Sequence, residues 1–248
     1  MRIIIISILV SGSIFAQGFL HNMDGEVVDG NGEPILLRGF GLGGWLVPEG
    51  YMLHNQAWIE GFESPTDIEN HVIDLIGQDE ANDFWELYRA NYVAQADIDK
   101  IAEWGFNHIR VPFHYKQFYD STGTETPIGY AIVDELITWC QPHNIYIILD
   151  MHCAPGAQNG GPISDSDGIA RLWLEDSYKE LTIQIWKEIA TYYADHTLIA
   201  GYDLINEPVL PSGVSLEEFK QLYVDITEAI REVDNNHLIW IEGNWYGT

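Results

Sequence analysis

The stretch Ile199-Ala200-Gly201-Tyr202-Asp203-Leu204-Ile205-Asn206-Glu207-Pro208 decides how the rest of the chain is interpreted. Its first part is a dense apolar run, which predicts a strand buried on both faces, as in a parallel sheet covered by helices. The run closes with an amide and a carboxylate side by side, and the proline then ends the strand. An ordinary strand-to-loop turn would explain the final tripeptide alone, so its meaning depends on the other strands.

Similar apolar runs recur along the chain, with helical patterns between them. The predicted strands span 35–41, 108–113, 145–151, 199–206 and 238–241, and the predicted helices span 94–104, 133–140, 177–193 and 216–233. Ser215 and Glu218 form a capping box at the start of the last helix. This alternation predicts an α/β fold, the (β/α)8 TIM barrel. A closed barrel needs more strands than these, so we expect a barrel truncated after about the fifth strand, since the sequence ends at Thr248.

A hairpin is predicted before the barrel strands. The residues Asp29-Gly30-Asn31-Gly32 are all turn formers and lie between two strand-like segments. We therefore expect a hairpin over residues 26–38. Its position ahead of the first barrel strand suggests a plug at the barrel floor.

The composition is that of a globular domain with a large acidic excess. The chain has 248 residues, of which 46% are hydrophobic and 12% aromatic, enough for one domain with a sizeable core. Its 11 basic and 38 acidic residues give a net charge of −27, which repels phosphate backbones and argues against nucleic acid as a partner. The many Trp and Tyr rings could stack on sugars, although most are expected in the core.

The N-terminus has the pattern of a secretory signal peptide. Arg2 precedes the apolar segment 3–10, and small residues follow up to Ala16. We expect a signal peptide over residues 1–16 and one domain over 17–248. The apolar segment is short for a membrane span. The mature protein is therefore expected to be secreted, extracellular or periplasmic, without membrane contact once the signal is removed.

The chain's two cysteines are expected to stay unpaired. Cys140 lies near the end of a predicted helix, and Cys153 lies just after the next predicted strand. Helix and strand run antiparallel in such a unit, so the two ends are separated by about 17 Å of strand. That separation is beyond the reach of a disulfide.

Polar residues recur at the carboxyl ends of the predicted strands. They are Arg110, Asp150, His152, Asn206 and Glu207. Active sites of (β/α) barrels are built at this end of the strands. Several polar groups that converge on one rim favour a functional site over isolated structural residues.

These residues give the chain a resemblance to glycoside hydrolase family 5, a family of retaining β-glycanases. The motifs that carry it are Arg38-Gly39-Phe40-Gly41-Leu42-Gly43-Gly44-Trp45, Gly105-Phe106-Asn107, Arg110-Val111-Pro112, Asp150-Met151-His152 and Asn206-Glu207-Pro208. The run Ala154-Pro155-Gly156-Ala157-Gln158-Asn159-Gly160 is similar to the exo-β-1,3-glucanase-like and endoglucanase-like branches. The resemblance implies a glycosidase that cleaves β-1,4- or β-1,3-linked glucan by double displacement. It further implies a polysaccharide or oligosaccharide partner, no cofactor, and a monomer when complete.

The resemblance also implies a role for each matching residue. Glu207 would be the general acid/base, and Asn206 would bind the 2-hydroxyl of the sugar at the cleavage point. Arg110 would support the catalytic nucleophile by its charge, and His152 would bind hydroxyls of the same sugar. Glu49 resembles a substrate-binding carboxylate of the exo-glucanase-like branch.

The sequence departs from the family pattern at the nucleophile. The family's nucleophilic glutamate lies on a seventh strand, which this sequence does not reach, so the chain as given is expected to be catalytically incomplete. Glu242 follows the fifth strand and is interpreted as a rim or substrate residue, with a nucleophilic role as the alternative. Trp245, with Tyr246, is a candidate platform for a sugar ring, with ordinary packing as the alternative.

A non-catalytic carbohydrate-binding barrel, or a mannanase or xylanase of the same fold, remains open. The glycines of segment 39–44 match a dinucleotide-binding fingerprint by letter, but no helical pattern follows to hold a pyrophosphate. The His and Cys residues lack metal-ligand spacing, so no metal site is predicted.

Overall fold

The computed structural model describes residues 18–53, 62–120 and 123–247 of the chain. The predicted signal peptide, residues 1–16, lies outside these described residues. Within them, no helix is both long enough and apolar enough to cross a bilayer.

A five-stranded parallel sheet forms the centre of the described chain. The strands are β1 (His21–Met23), β2 (Glu26–Val28), β3 (Gly39–Gly41), β4 (His108–His114), β5 (Tyr146–Cys153), β6 (Ile199–Asp203) and β7 (Leu238–Trp240). Strands β3 to β7 pair in chain order, each parallel to the next, which confirms the predicted α/β alternation of a partial (β/α) barrel. The first barrel strand is shorter than predicted, because Ile35 and Leu37 pack into a separate apolar cluster and only three residues pair with β4.

Helices follow the strands and cover one face of the sheet. They are α1 (Gly50–Leu53), α2 (Pro65–Ile76), α3 (Gln78–Tyr92), α4 (Gln95–Glu103), α5 (Ile128–Cys140), α6 (Asp176–Tyr193) and α7 (Leu216–Arg231), with short 3-10 turns at Tyr115–Gln117, Gln141–His143, Pro162–Ser164 and Arg171–Trp173. The segment Asn244–Gly247 forms a last turn, in which Trp245 and Tyr246 have left-handed backbone angles. The capping box of Ser215 and Glu218 is present at the start of α7, as predicted. Helices α2 and α3 are absent from the prediction, although Ser64 forms a second capping box ahead of α2.

The main core lies between the sheet and these helices. Ile109 and Val111 of β4 and Leu149 of β5 are fully buried on this face. The ring of Phe113 meets that of Trp186 from α6 edge-on at a centroid distance of 5.7 Å. Each fully buried aliphatic side chain of this kind contributes about 1.5–3 kcal/mol, so the outer face holds strand and helix layers together.

The two cysteines are free thiols, as predicted, and Cys140 lies in this core. Both side chains are fully buried. Burial raises the pKa of the Cys140 thiol to about 12 and raises that of Cys153 as well. Both groups therefore remain protonated and unreactive in the folded protein.

The hairpin before the barrel differs from the prediction over residues 26–38. The paired strands are β1 and β2, and the turn between them is Asp24-Gly25, where φ is +54° and +88°. Such a pair of positive φ values is what an Asp-Gly hairpin turn requires. The predicted turn near Asp29 also forms, but it closes only one isolated bridge, Val28 to Pro34, since proline offers no N–H to extend the ladder.

The segment before β3 covers the inner face of the sheet near its amino end. Leu20 and its partly buried neighbours Val27, Ile35 and Leu37 form a second apolar cluster with inner-face residues. Those inner-face residues are Tyr146, Ile148, Ala200, Leu238 and Trp240. The segment thus closes one end of the sheet and leaves the carboxyl ends of the strands for polar side chains.

Candidate active site

The inner face of the sheet carries charged side chains at the carboxyl ends of its strands. Side chains alternate along a strand, so Arg110, Asp150 and His152 face away from the helices that cover Leu149. The register pairs Asp150 of β5 directly with Asp203 of β6. Charged residues of three neighbouring strands are therefore brought together at one end of the sheet.

Arg110 is the centre of this site. Its Nη1 lies 2.9 Å from Asp150 Oδ2, and its Nε and Nη2 lie 2.9 and 2.8 Å from Asp203 Oδ2. Nη2 also donates to Asn206 Oδ1 at 2.9 Å and to Glu242 Oε1 at 3.2 Å. The last three partners follow Arg110 by 93, 96 and 132 residues. One guanidinium thus joins the ends of β4, β5, β6 and β7.

Two buried carboxylates share this guanidinium. Asp150 is fully buried and Asp203 is 6% exposed. The Oδ1 atom of each has no hydrogen-bond partner among the described residues. Burial and the like charge of Asp150 raise the pKa of Asp203 to about 7, although Arg110 opposes the shift. Asp203 is therefore expected to take up a proton near neutral pH.

The raised pKa of Asp203 predicts how stability depends on pH. An unfolded aspartate titrates near pH 3.9, so between about pH 4 and pH 7 the folded chain binds more protons than the unfolded chain. The free energy of unfolding should then fall as pH rises through this window, by on the order of 4 kcal/mol in urea titrations. Asp203→Asn should flatten this dependence. The exposed control Asp195→Asn should leave it unchanged, and an equal slope in wild type and Asp203→Asn would contradict the assignment.

His152 and Glu49 extend the site toward the segment that follows β3. His152 Nδ1 lies 2.8 Å from Asp150 Oδ2, so Nδ1 carries the proton that the carboxylate accepts. His152 Nε2 lies 3.8 Å from Glu49 Oε1 and 3.4 Å from Asn206 Nδ2. Burial opposes protonation of His152, but the charge of Asp150 outweighs it and the pKa of His152 is raised. Glu49 is buried, which raises its pKa.

Glu207 lies directly after Asn206 on the same rim. Its backbone N–H donates to Glu242 Oε2 at 2.7 Å, and its carbonyl oxygen accepts from Asn159 Nδ2 at 2.8 Å. Burial first, and the charge of Glu207 in smaller part, raise the pKa of both Glu49 and Glu242. The Glu207 carboxylate is thus within electrostatic range of two other carboxylates on this rim.

Trp245, the remaining predicted site residue, lies outside the Arg110 network. It is 64% exposed in the turn after β7, and Tyr246 beside it is 54% exposed. Tyr246 N–H donates to the Pro208 carbonyl at 3.4 Å. The two rings therefore stand on the rim, next to the segment that follows Glu207.

The acidic side chains nearest the sheet form ion pairs with Arg110. Asp150, Asp203 and Glu242 each place an oxygen within 3.2 Å of its guanidinium. Across residues 18–53, 62–120 and 123–247, no group of three or more His, Cys, Asp or Glu side chains is arranged to hold a metal ion. This arrangement of partly buried, charged side chains is suited to acid–base chemistry.

Sequence reasoning assigned no role to three residues that help to build the site, namely Asp203, Gln158 and Asn159. Asp203 is an acidic residue inside an apolar strand, which by itself indicates a paired buried charge. Gln158 is fully buried, and its Nε2 donates to the carbonyl oxygens of His152 at 2.6 Å and Asn206 at 2.8 Å. No sequence pattern shows that a loop amide reaches the backbone of two other strand ends.

Comparison with known proteins agrees with the fold. A family model for cellulase, glycosyl hydrolase family 5, matches residues 66–248. A β-xylosidase of Phanerodontia chrysosporium is 33% identical over 227 residues, which cover 90% of this chain and 46% of that protein. A probable glucan 1,3-β-glucosidase A of Neosartorya fischeri is 26% identical over 222 residues, covering 86% of this chain and 51% of that protein.

The sheet and its helices also match solved structures. The crystal structure of rutinosidase from Aspergillus niger superimposes with a TM-score of 0.72 at 20% identity, over 84% of this chain and 62% of that one. The fold is therefore that of (β/α) glycoside hydrolases. The chain belongs to glycosyl hydrolase family 5, which confirms the resemblance seen in the sequence. It spans about half the length of the curated relatives it matches.

Proposed function

We propose that this chain is part of a retaining glycoside hydrolase that cleaves β-linked glucan. The observation that carries the proposal is the position of Asn206 and Glu207, at a strand end beside a partly buried arginine that binds three carboxylates. Retaining enzymes need one carboxyl group that first donates a proton and then accepts one, next to a second carboxylate that attacks the sugar. Glu207 is the residue that fits the first role.

The mechanism follows from these positions. Protonated Glu207 donates to the glycosidic oxygen while a carboxylate attacks the anomeric carbon, and Glu207 then removes a proton from the water that releases the sugar. Asn206 and His152 bind hydroxyls of the sugar at the cleavage point, Glu49 binds the substrate beyond them, and Trp245 offers a face to a sugar ring at the rim. The attacking carboxylate is assigned to the seventh strand of a complete barrel, as the family resemblance implies. That strand is not β7, which is the fifth strand of the barrel sheet.

Glu242 is a poorer candidate for the attacking carboxylate. Its Oε1 accepts from Arg110 at 3.2 Å and its Oε2 accepts from the Glu207 N–H at 2.7 Å. Both oxygens are thus engaged in hydrogen bonds, one of them to the residue it would have to act with. This geometry favours a structural role in the site.

Xylan is the second candidate substrate. The relative named β-xylosidase favours it, and relatives named as glucan 1,3-β-glucosidase and endoglucanase favour glucan. The xylosidase and glucosidase names both specify a β-linked sugar, so the proposed reaction is the same for either substrate. We further propose that residues 1–16 direct export, which the N-terminal sequence of the secreted protein would test.

The decisive experiment uses protein expressed from the complete open reading frame. Defined β-1,3-glucan, β-1,4-glucan and xylan oligosaccharides are supplied separately, and the first-formed anomer is recorded by proton NMR. We expect hydrolysis of at least one glucan with retention of configuration. Inverted product, or binding without hydrolysis of any of the three, would contradict the proposal; the second result would support a carbohydrate-binding barrel.

A further inference from the structure

Glu207 has an unusual backbone conformation. Its φ is +47°, in the left-handed region that few residues other than glycine adopt. The preceding residue, Asn206, is held by its own N–H to the Met151 carbonyl at 3.2 Å. A strained conformation of this kind persists only where the surrounding structure over-determines it.

Two side chains from distant segments hold the backbone of Glu207. The Glu242 carboxylate accepts its N–H at 2.7 Å, and the Asn159 amide donates to its carbonyl oxygen at 2.8 Å. Glu242 lies 35 residues after Glu207 and Asn159 lies 48 residues before it. Both polar groups of this residue's backbone are thus bound by side chains rather than by a neighbouring strand.

Each of these side chains is itself fixed. Glu242 Oε1 accepts from Arg110, and the Glu242 carbonyl oxygen accepts from the Tyr223 hydroxyl at 3.2 Å. Asn159 is fully buried, and its Oδ1 accepts from the Gly161 N–H at 2.8 Å and the Ser164 hydroxyl at 3.0 Å. These two donors fix the orientation of the Asn159 amide, because its oxygen must face them. Its nitrogen then faces the Glu207 carbonyl oxygen.

We propose that Glu242 and Asn159 are positioning residues that fix the peptide groups of Glu207 and so set the direction of its carboxyl group. The inference rests on the proposed function, in which Glu207 is the proton donor. A proton donor must lie within hydrogen-bond reach of the leaving oxygen, and a displacement of about 1 Å can lower turnover by about 10²-fold. Neither residue has to touch the substrate for this role.

A first experiment tests the contact without any activity. Protein labelled with ¹⁵N at Glu residues is compared with Glu242→Gln and Glu242→Ala, and the exposed variant Glu217→Gln serves as the matched control. The Glu207 amide proton should be strongly deshielded by the carboxylate it binds. The chemical shift of this amide proton should change with pH as Glu242 is protonated. The charged groups that face Glu242 are Arg110, Asp150, Asp203 and Glu207. The pH-dependent change should be lost in both Glu242 variants. An ordinary amide shift that is unaltered in Glu242→Ala would overturn the proposal.

A second experiment separates positioning from general loss of structure. In protein from the complete reading frame, Glu242→Ala and Asn159→Ala should each lower kcat on an unactivated oligosaccharide by about 10–100-fold, with little change in KM. An aryl glycoside with a good leaving group needs little proton donation, so its cleavage should fall much less. Equal losses on both substrates would contradict positioning of the acid.

Conservative variants sharpen this test. Glu242→Gln keeps one oxygen for the Glu207 N–H but places an amide nitrogen where Arg110 now donates, so it should recover only part of the activity lost in Glu242→Ala. Asn159→Asp has nearly the same shape but lacks the donor, so it should be no better than Asn159→Ala. The exposed variant Asn91→Ala should be unaffected, and thermal melts confirm that each variant folds. If wild type hydrolyses no glycoside, the proposed function fails, while the amide measurement still decides whether Glu242 holds Glu207.

Discussion

Glu207→Gln should lower turnover of an unactivated glucan by about 10²–10⁴-fold, because glutamine cannot donate the proton that the leaving oxygen requires. The substitution keeps size and shape, so the hydrogen bonds of the Glu207 backbone to Glu242 and Asn159 should survive. The melting temperature and oligosaccharide affinity should therefore stay close to those of wild type. Initial rates with protein from the complete reading frame provide the measurement.

Two controls accompany this prediction. Glu217→Gln changes an exposed glutamate in the first turn of α7 and should retain full activity. Azide should partly restore turnover of Glu207→Gln on a substrate with a good leaving group, since a small anion can replace the water that needs a base. Wild-type rates in Glu207→Gln would remove this residue from the mechanism.

Arg110→Ala should have the largest effect on stability. It leaves Asp150 and Asp203 buried without their cation, and breaking a buried ion pair from one side costs about 3–5 kcal/mol. Turnover should fall as well, since the proposed nucleophile loses its supporting charge. The loss of stability should be greater at pH 8 than at pH 5, because protonation of Asp203 relieves the repulsion at the lower pH.

Urea unfolding at the two pH values tests this expectation. Arg110→Lys keeps the charge but cannot bind Asp203 through two nitrogens of one planar group, so an intermediate loss is expected. Lys100→Ala removes an exposed cation that pairs with exposed Glu103 at 2.7 Å, and it should cost less than about 1 kcal/mol. A loss below that value in Arg110→Ala would show that the arginine does not hold the two carboxylates.

Much of the sheet follows from the sequence for a simple physical reason. Strands covered on both faces must be almost continuously apolar, so runs such as 145–151 stand out. The polar residues that end these runs, Arg110, His152 and Asn206, are then conspicuous, and the structure brings them together. Helices α2 and α3 are less visible, because many of their residues are exposed and give a weak apolar stripe.

The remaining errors concern geometry that local patterns do not encode. The predicted turn near Asp29 does form, but it closes a single bridge. The packing of Ile35 and Leu37 against the inner face of the sheet determines which segments pair around it. The interpretation of Glu242 as a rim residue missed its bond to the Glu207 backbone. That contact depends on the left-handed conformation of Glu207, and a glutamate gives no sequence signal for such a conformation.

The distances along the chain between Arg110 and its partners have a consequence for how the protein folds. Contacts that span 93 to 132 residues require the closure of long loops, which slows folding. The contact between Arg110 and Glu242 can form only after β7 has joined the sheet. A chain that has folded only as far as β6 has the arginine and both aspartates but lacks Glu242, which holds Glu207. Transient detachment of β7 would likewise release the Glu207 amide, so hydrogen exchange at that amide would report this detachment. We therefore expect the position of Glu207 to form late in folding and to be lost early in unfolding.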